Sequence, residues 1–140
     1  MSRSSIVLLP AAPASVAVAR RRLTEELLAA GVFDAAVSDA ALVISELLSN
    51  AIRHASPLPG SWLHVTWVIA GGCLEVAVSD GGSPTRPRQA QVPVSSLGGR
   101  GLSIIEQLSR RWGVRTYDCG LTVWAVLPAP VASGAVAYPQ

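Results

Sequence analysis

From Asp34 to Ala55 the chain carries a helical period that narrows what it can fold into. On a wheel of about 100° per residue, Ala40, Ala41, Ile44, Leu47, Leu48, Ala51, Ile52 and Ala55 fill one continuous arc. Asp39, Glu46, Asn50 and Arg53 cluster on the other side. Asp34 is a natural N-cap. Ser56-Pro57 ends the pattern, because the residue before a proline is driven out of the helical region. A long helix with one apolar face must bury it against another layer. Its second face then presents a carboxylate, an amide and a guanidinium in register.

The remaining segments supply that layer. Ile6–Leu9 reads as a short strand ended by Pro10, and Pro13–Ala30 as a helix with Val16, Ala19, Leu23 and Leu27 on its apolar face. Ser15 lies near the start of that helix and Gly31 just past its end. Trp62–Ile69 alternates, Gly71-Gly72 turns the chain, and Leu74–Asp80 alternates again. Period 2 puts Asp80 on the face of Leu74, Val76 and Val78. A carboxylate closing an apolar row needs a partner, since burying it alone is costly. The stretch 81–97 is rich in Gly, Pro, Ser and Arg without periodicity, and loops of that length are usually functional or disordered. Gly98-Gly99-Arg100-Gly101 opens a helix with Leu102, Ile105 and Leu108 facing inward. Trp112–Tyr117 and Leu121–Leu127 form a closing hairpin around Asp118-Cys119-Gly120. Residues 128–140 read as a disordered tail.

At 140 residues, half of them hydrophobic and 14% charged, the chain suits one domain spanning 1–127. All eleven basic residues are Arg, and the net charge of +2 is too small to imply a nucleic-acid partner. No apolar stretch approaches about 18 residues without polar interruption, so no membrane span is expected. Cys73 and Cys119 form no CxxC pair and read as reduced thiols of a cytoplasmic protein.

Four groups of residues can carry chemistry. Glu46 and Asn50, four apart, sit side by side on one helical face. An amide oxygen is a hard ligand suited to Mg²⁺, and a neighbouring carboxylate can orient or deprotonate a hydroxyl. Alone, that spacing fits a solvated polar face more readily. Asp80-Gly81-Gly82 places an acceptor before a flexible backbone, suited to an exocyclic amine. Gly98-Gly99-Arg100-Gly101 exposes backbone N–H groups at a helix N-terminus, a place for phosphates. No GK[ST] follows, so it is not a P-loop. Thr122, in Gly120-Leu121-Thr122-Val123-Trp124, is near a strand start and reads first as a β-favouring residue.

In their order, these segments resemble the GHKL ATPase/kinase superfamily. LVISELLSNAIRHA, VAVSDGGSPTRP, GRGLSIIEQLSRRWGV and GLTVWAVL look like the short ATP-binding domains of anti-sigma-factor serine/threonine kinases. The likeness covers roughly residues 6–127. It implies an α/β (α+β) two-layer sandwich, with a mixed, mostly antiparallel sheet and helices on one face. By position it implies that Glu46 is the catalytic base and Asn50 the Mg²⁺ ligand. Asp80 would take the adenine amine, with Gly82 beside the ring and Thr122 behind the base. Gly99, Arg100 and Gly101 would meet the phosphates, with Gly98, Leu102 and Arg53 also among the cofactor-binding residues, and 83–97 would be the ATP lid. Two departures stand out. The glycine box reads Asp80-Gly81-Gly82-Ser83-Pro84, and Leu121 stands where related chains often carry a basic residue.

The function implied is phosphorylation of an anti-sigma-factor antagonist with Mg-ATP, direct sequestration of a sigma factor, or both, by a homodimer that touches neither nucleic acid nor membrane. The alternative is an interaction module in which ATP switches partner affinity without phosphate transfer.

Overall fold

A computed structural model describes residues 2–54, 62–80, 99–117 and 120–132. The elements run β1 (Ser2–Pro10), α1 (Ala14–Ala29), α2 (Asp34–His54), β2 (Trp62–Ala70), β3 (Cys73–Asp80), α3 (Gly99–Leu108), β4 (Arg111–Tyr117) and β5 (Gly120–Pro128). The strands form one sheet in the order β1-β2-β3-β5-β4. All four pairings are antiparallel, the limiting case of the mostly antiparallel sheet expected. Helices cover one face, giving the two-layer sandwich. α1 packs beside β1, α2 over β3 and β5, and α3 beside β4, so the helices follow the strands across the sheet.

Strand parity builds the core. Leu63, Val65, Trp67 and Ile69 of β2 face inward, with Leu74, Val76 and Val78 of β3 and Leu121, Val123, Ala125 and Leu127 of β5. The expected strand at Ile6–Leu9 is longer in the structure, because its pairing with β2 continues out to Ser2↔Ala70. Hydrogen bonding, not hydrophobicity, defines that extension. In α1, Ala19, Leu23 and Leu27 are buried as expected, while Val16 is only half-buried. Ser15 is buried with them, and its hydroxyl donates to the Pro10 carbonyl at 2.6 Å, fixing the turn from β1 into α1. At the other end Val32 N bonds Leu27 O and Gly31 N bonds Leu28 O, a Schellman closure. Gly71 and Gly72 both have positive φ, as a two-residue hairpin turn with strand-matching twist requires.

A polar bridge ties the layers together. Glu26 of α1 accepts from the Trp67 indole N–H at 2.8 Å, and the Ser5 hydroxyl lies 2.9 Å from each of its carboxylate oxygens. Trp67 is fully buried, so its N–H depends on that carboxylate. Hydrogen bonds to charged groups contribute about 1.5–3 kcal/mol. Trp67→Phe is therefore expected to destabilise the fold by about 2 kcal/mol, measured by urea denaturation. An unchanged midpoint would remove this bridge from the account.

One expectation gains a qualification and another changes. By length and composition alone, Asp34–Arg53 matches a membrane span, although no such span was expected. In this fold that segment is the central helix, with the sheet beneath it and a helix on each side. The stretch expected to be a tail from Pro128 is instead docked as far as Ala132. Phe33 N bonds Pro130 O, Ala132 N bonds Gly31 O, and Ala129 N bonds Gly72 O. Residues 133–140, the expected lid 83–97, the Ser56-Pro57 stop and the Asp118-Cys119 turn lie outside the described residues.

Candidate functional site

Strand register brings the candidate residues to one end of the sandwich. Asp80 pairs with Leu63 near the start of β2. Ser79 pairs with Thr122 near the start of β5, so the ends of β3 and the starts of β2 and β5 lie together. α2 begins at the opposite end, next to the Val32↔Val131 bridge, and runs back towards this one. α3 finishes where Arg110 N bonds Val126 O, at the far end, so its N-terminus points the same way. The close of α2, the close of β3 and the opening of α3 thus share one end of the molecule.

α2 supplies the polar groups from one flank. Ser45, which accepts from Arg20 at 3.4 Å, marks the flank facing α1. α3 also packs on α2 and takes the other side, where Val43 and Asn50 are buried. The helical period puts Asn50 on the side opposite the apolar arc. It is only 1% exposed, because α2 is covered on three sides and buries more than its apolar arc. Glu46, one turn earlier, is half-buried, and Arg53 is exposed. From core to solvent the flank reads amide, carboxylate, guanidinium.

Asn50 is incompletely paired. Arg53 Nη2 donates to its Oδ1. Its Nδ2 is buried with no acceptor among the described residues. Exchanging the two amide atoms would set the NH₂ group against a guanidinium that can only donate, so this orientation is the one the chemistry allows. A buried donor without an acceptor is costly and calls for an explanation.

Asp80 sits where parity put it, 4% exposed, and its Oδ1 accepts the Leu121 backbone N–H at 3.2 Å. Leu121 itself faces the core, 8% exposed. The position where a basic residue was noted as missing contributes a backbone donor that fixes the carboxylate. Thr122 does not join Asp80. It lies on the other face of the sheet, where its hydroxyl is 2.6 Å from that of Ser79. A side chain so placed cannot stand behind a base held beside Asp80, and this corrects the expectation drawn from the GxT segment. Gly99, Arg100, Gly101 and Leu102 form the first turn of α3. Gly82 and Gly98 lie outside the described residues.

No three His, Cys, Asp or Glu side chains gather as a metal site among the described residues. A cleft of about 240 Å³ lies at the opposite end, against Ala30, the Gly71-Gly72 turn and Ala129, and holds none of the residues above.

Comparison with known proteins bears on the fold and the family. No curated protein matches the sequence. The fold is similar to that of the crystal structure of the RsbU and RsbW domains of Rv1364c from Mycobacterium tuberculosis, with a TM-score of 0.64 at 19% identity. The match covers 93% of this chain and 34% of that one, so the chain spans about a third of the longer protein's length. The model of the histidine kinase-like ATPase domain matches residues 9–127, which take in α2, β3, α3 and β5 together. By that match, which covers both the sandwich and the polar end described above, the chain belongs to the histidine kinase-like ATPase domain family.

Proposed function

We propose that this chain binds Mg-ATP at the shared end of α2, β3 and α3 and uses it to phosphorylate a serine or threonine of an anti-sigma-factor antagonist. The observation that carries the reading is Asn50, a buried amide whose NH₂ group has no acceptor among the described residues, beside a half-buried carboxylate. The residues fit Mg²⁺ and a phosphate. Nδ2 needs an acceptor of the kind a phosphate oxygen supplies, and Oδ1 is a hard oxygen. Mg²⁺ is commonly held by one or two protein oxygens, with water and phosphate completing its shell, so the absence of an acidic cluster among the described residues is compatible with it.

Within the site, Asp80 receives the adenine amine and Leu121 N–H fixes its rotamer. The first turn of α3 turns its N–H groups towards the phosphates. Glu46 accepts the proton of the attacking hydroxyl at its carboxylate. ATP, when bound, supplies the phosphoryl group. Calorimetric titration with ATP, in MgCl₂ and in EDTA, tests the binding reading, and a chain that takes up no ATP in either buffer removes it. The alternative, an ATP-dependent interaction switch without transfer, is favoured by the Ser83-Pro84 departure in the glycine box. It uses the same pocket and is separated by the Glu46 variant discussed below. Sequestration of a sigma factor is compatible with both.

We further propose a homodimer closed through β1. This strand is an edge of the sheet, and its outer face exposes Ile6 (69%) and Leu8 (59%) beside Val68 and Trp62 of β2. The four expose on the order of 400 Å² of apolar side chain, the size of a functional patch. A stable interface needs about 800 Å² per partner, and antiparallel pairing of two β1 edges about a two-fold axis would add the remainder. The double substitution Ile6→Glu, Leu8→Glu is expected to yield a monomer by light scattering at micromolar concentration. A parent chain that is already monomeric there would overturn the dimer.

A further inference from the structure

The contact between Arg53 and Asn50 has a consequence for how the cation enters. Arg53 is exposed, yet its guanidinium reaches back one turn to the oxygen of an almost fully buried amide. That oxygen is the atom the proposed function assigns to Mg²⁺. Arg carries its charge at any relevant pH and has five donors and no acceptor. A guanidinium and a divalent cation on one amide oxygen repel each other, and the interior screens that repulsion less than water does. Asn50 Nδ2, with no acceptor of its own among the described residues, marks the same amide as prepared for a second group.

We infer that Arg53 takes the cation's place on Asn50 Oδ1 in the nucleotide-free protein and releases that oxygen only when phosphates offer the guanidinium a better partner. This rests on the Mg-ATP reading above and adds to it an order of events. Arg53 keeps the amide oxygen paired and the cation out. Phosphate oxygens match the planar fork of the guanidinium better than a single amide oxygen does. Arg53 therefore moves to them, and Asn50 Oδ1 becomes available as the nucleotide arrives. The free cation is then bound weakly by itself and well only together with nucleotide. Arg53 is in this sense a positioning residue that sets how strongly ATP binding depends on Mg²⁺.

The test uses the full chain and two readouts independent of turnover. In the first, Mn²⁺, a spin-active substitute for Mg²⁺, is titrated into nucleotide-free protein and followed by electron paramagnetic resonance. Arg53→Met is expected to bind Mn²⁺ at least about threefold more tightly than the parent, within the range of ordinary coupling between sites. In the second, the ATP affinity is measured in EDTA and in MgCl₂. With MgCl₂ high enough to load the free variant, Arg53→Met loses a phosphate contact in both buffers, while the cation it now admits without nucleotide no longer waits on ATP. By reciprocity of coupled binding, the ratio of the affinity in MgCl₂ to that in EDTA should therefore fall at least about threefold, and Arg53→Lys, still cationic, should restore it towards the parent value. In an Asn50→Ala background, Arg53→Met should leave the ratio unchanged, since the shared oxygen is gone. An unchanged ratio, or an unchanged Mn²⁺ affinity, in a variant whose circular dichroism and unfolding midpoint match the parent overturns the inference and leaves ATP binding standing. Failure of the parent to bind ATP at all is a separate result, which removes the nucleotide reading and this inference with it.

Discussion

Asp80→Asn is expected to weaken ATP binding at least about 100-fold, or roughly 2.7 kcal/mol, while the fold is kept. The reason is the sign of the hydrogen bonds. A carboxylate accepts on both oxygens, whereas an amide of the same shape accepts on one side and donates on the other. The Leu121 N–H already uses one Asp80 oxygen as its acceptor. The adenine amine, also a donor, needs an acceptor from the same group. Whichever way the substituted amide turns, one of these two donors meets an NH₂ group in a site that is 4% exposed. Buried polar groups left facing like partners lose far more than a missing methylene does. The substitution adds no volume and removes no apolar contact, so folding should survive. Titration of parent and variant with ATP measures the effect. An Asp80→Asn chain that binds ATP as the parent does would exclude Asp80 from the base pocket.

Much of this site is legible in the residues, and the failures have identifiable causes. The inward parity of Asp80 follows from Leu74, Val76 and Val78, because a strand alternates without exception between bulges. The same rule, applied to Leu121, Val123, Ala125 and Leu127, already turns Thr122 outward, whereas the likeness of the GxT segment to a family pattern points the other way. The burial of Asn50 is less legible, for a different reason. An apolar arc marks only what hydrophobicity buries. A helix held between two neighbours and a sheet also buries polar residues at the margin of that arc, and Val43, beside Asn50 on the wheel, is the signal. Pro128–Ala132 gives no signal at all. Its docking rests on backbone bonds to Gly31, Phe33 and Gly72, which carry no sequence pattern. The contact between Leu121 N–H and Asp80 is hidden in the same way, since any non-proline residue at that position supplies the donor.

Glu46→Gln separates catalysis from binding. Gln keeps the length and shape of the side chain and still hydrogen-bonds, but it cannot take up a proton at neutral pH. Glu46 lies one helical turn before Asn50, on the flank between the buried amide and solvent. A carboxylate there can reach a hydroxyl entering from outside while Asn50 holds the phosphate side, which is the division of labour a base needs. Positioned proton transfer contributes about 10²–10⁴-fold to rate. Glu46→Gln is therefore expected to slow phosphate transfer from γ-labelled ATP to the antagonist by about that factor, with ATP affinity within about twofold of the parent because the side chain neither holds the base nor packs in the core. The two functional readings divide on this variant. If transfer falls and affinity does not, the carboxylate acts on the proton and the chain is a kinase. If the parent transfers nothing, and the variant still changes partner affinity when ATP is added, the pocket is a switch and Glu46 only orders the polar flank of α2. Should transfer proceed undiminished without the carboxylate, Glu46 is not the base, and the spacing between it and Asn50 reflects helical geometry alone.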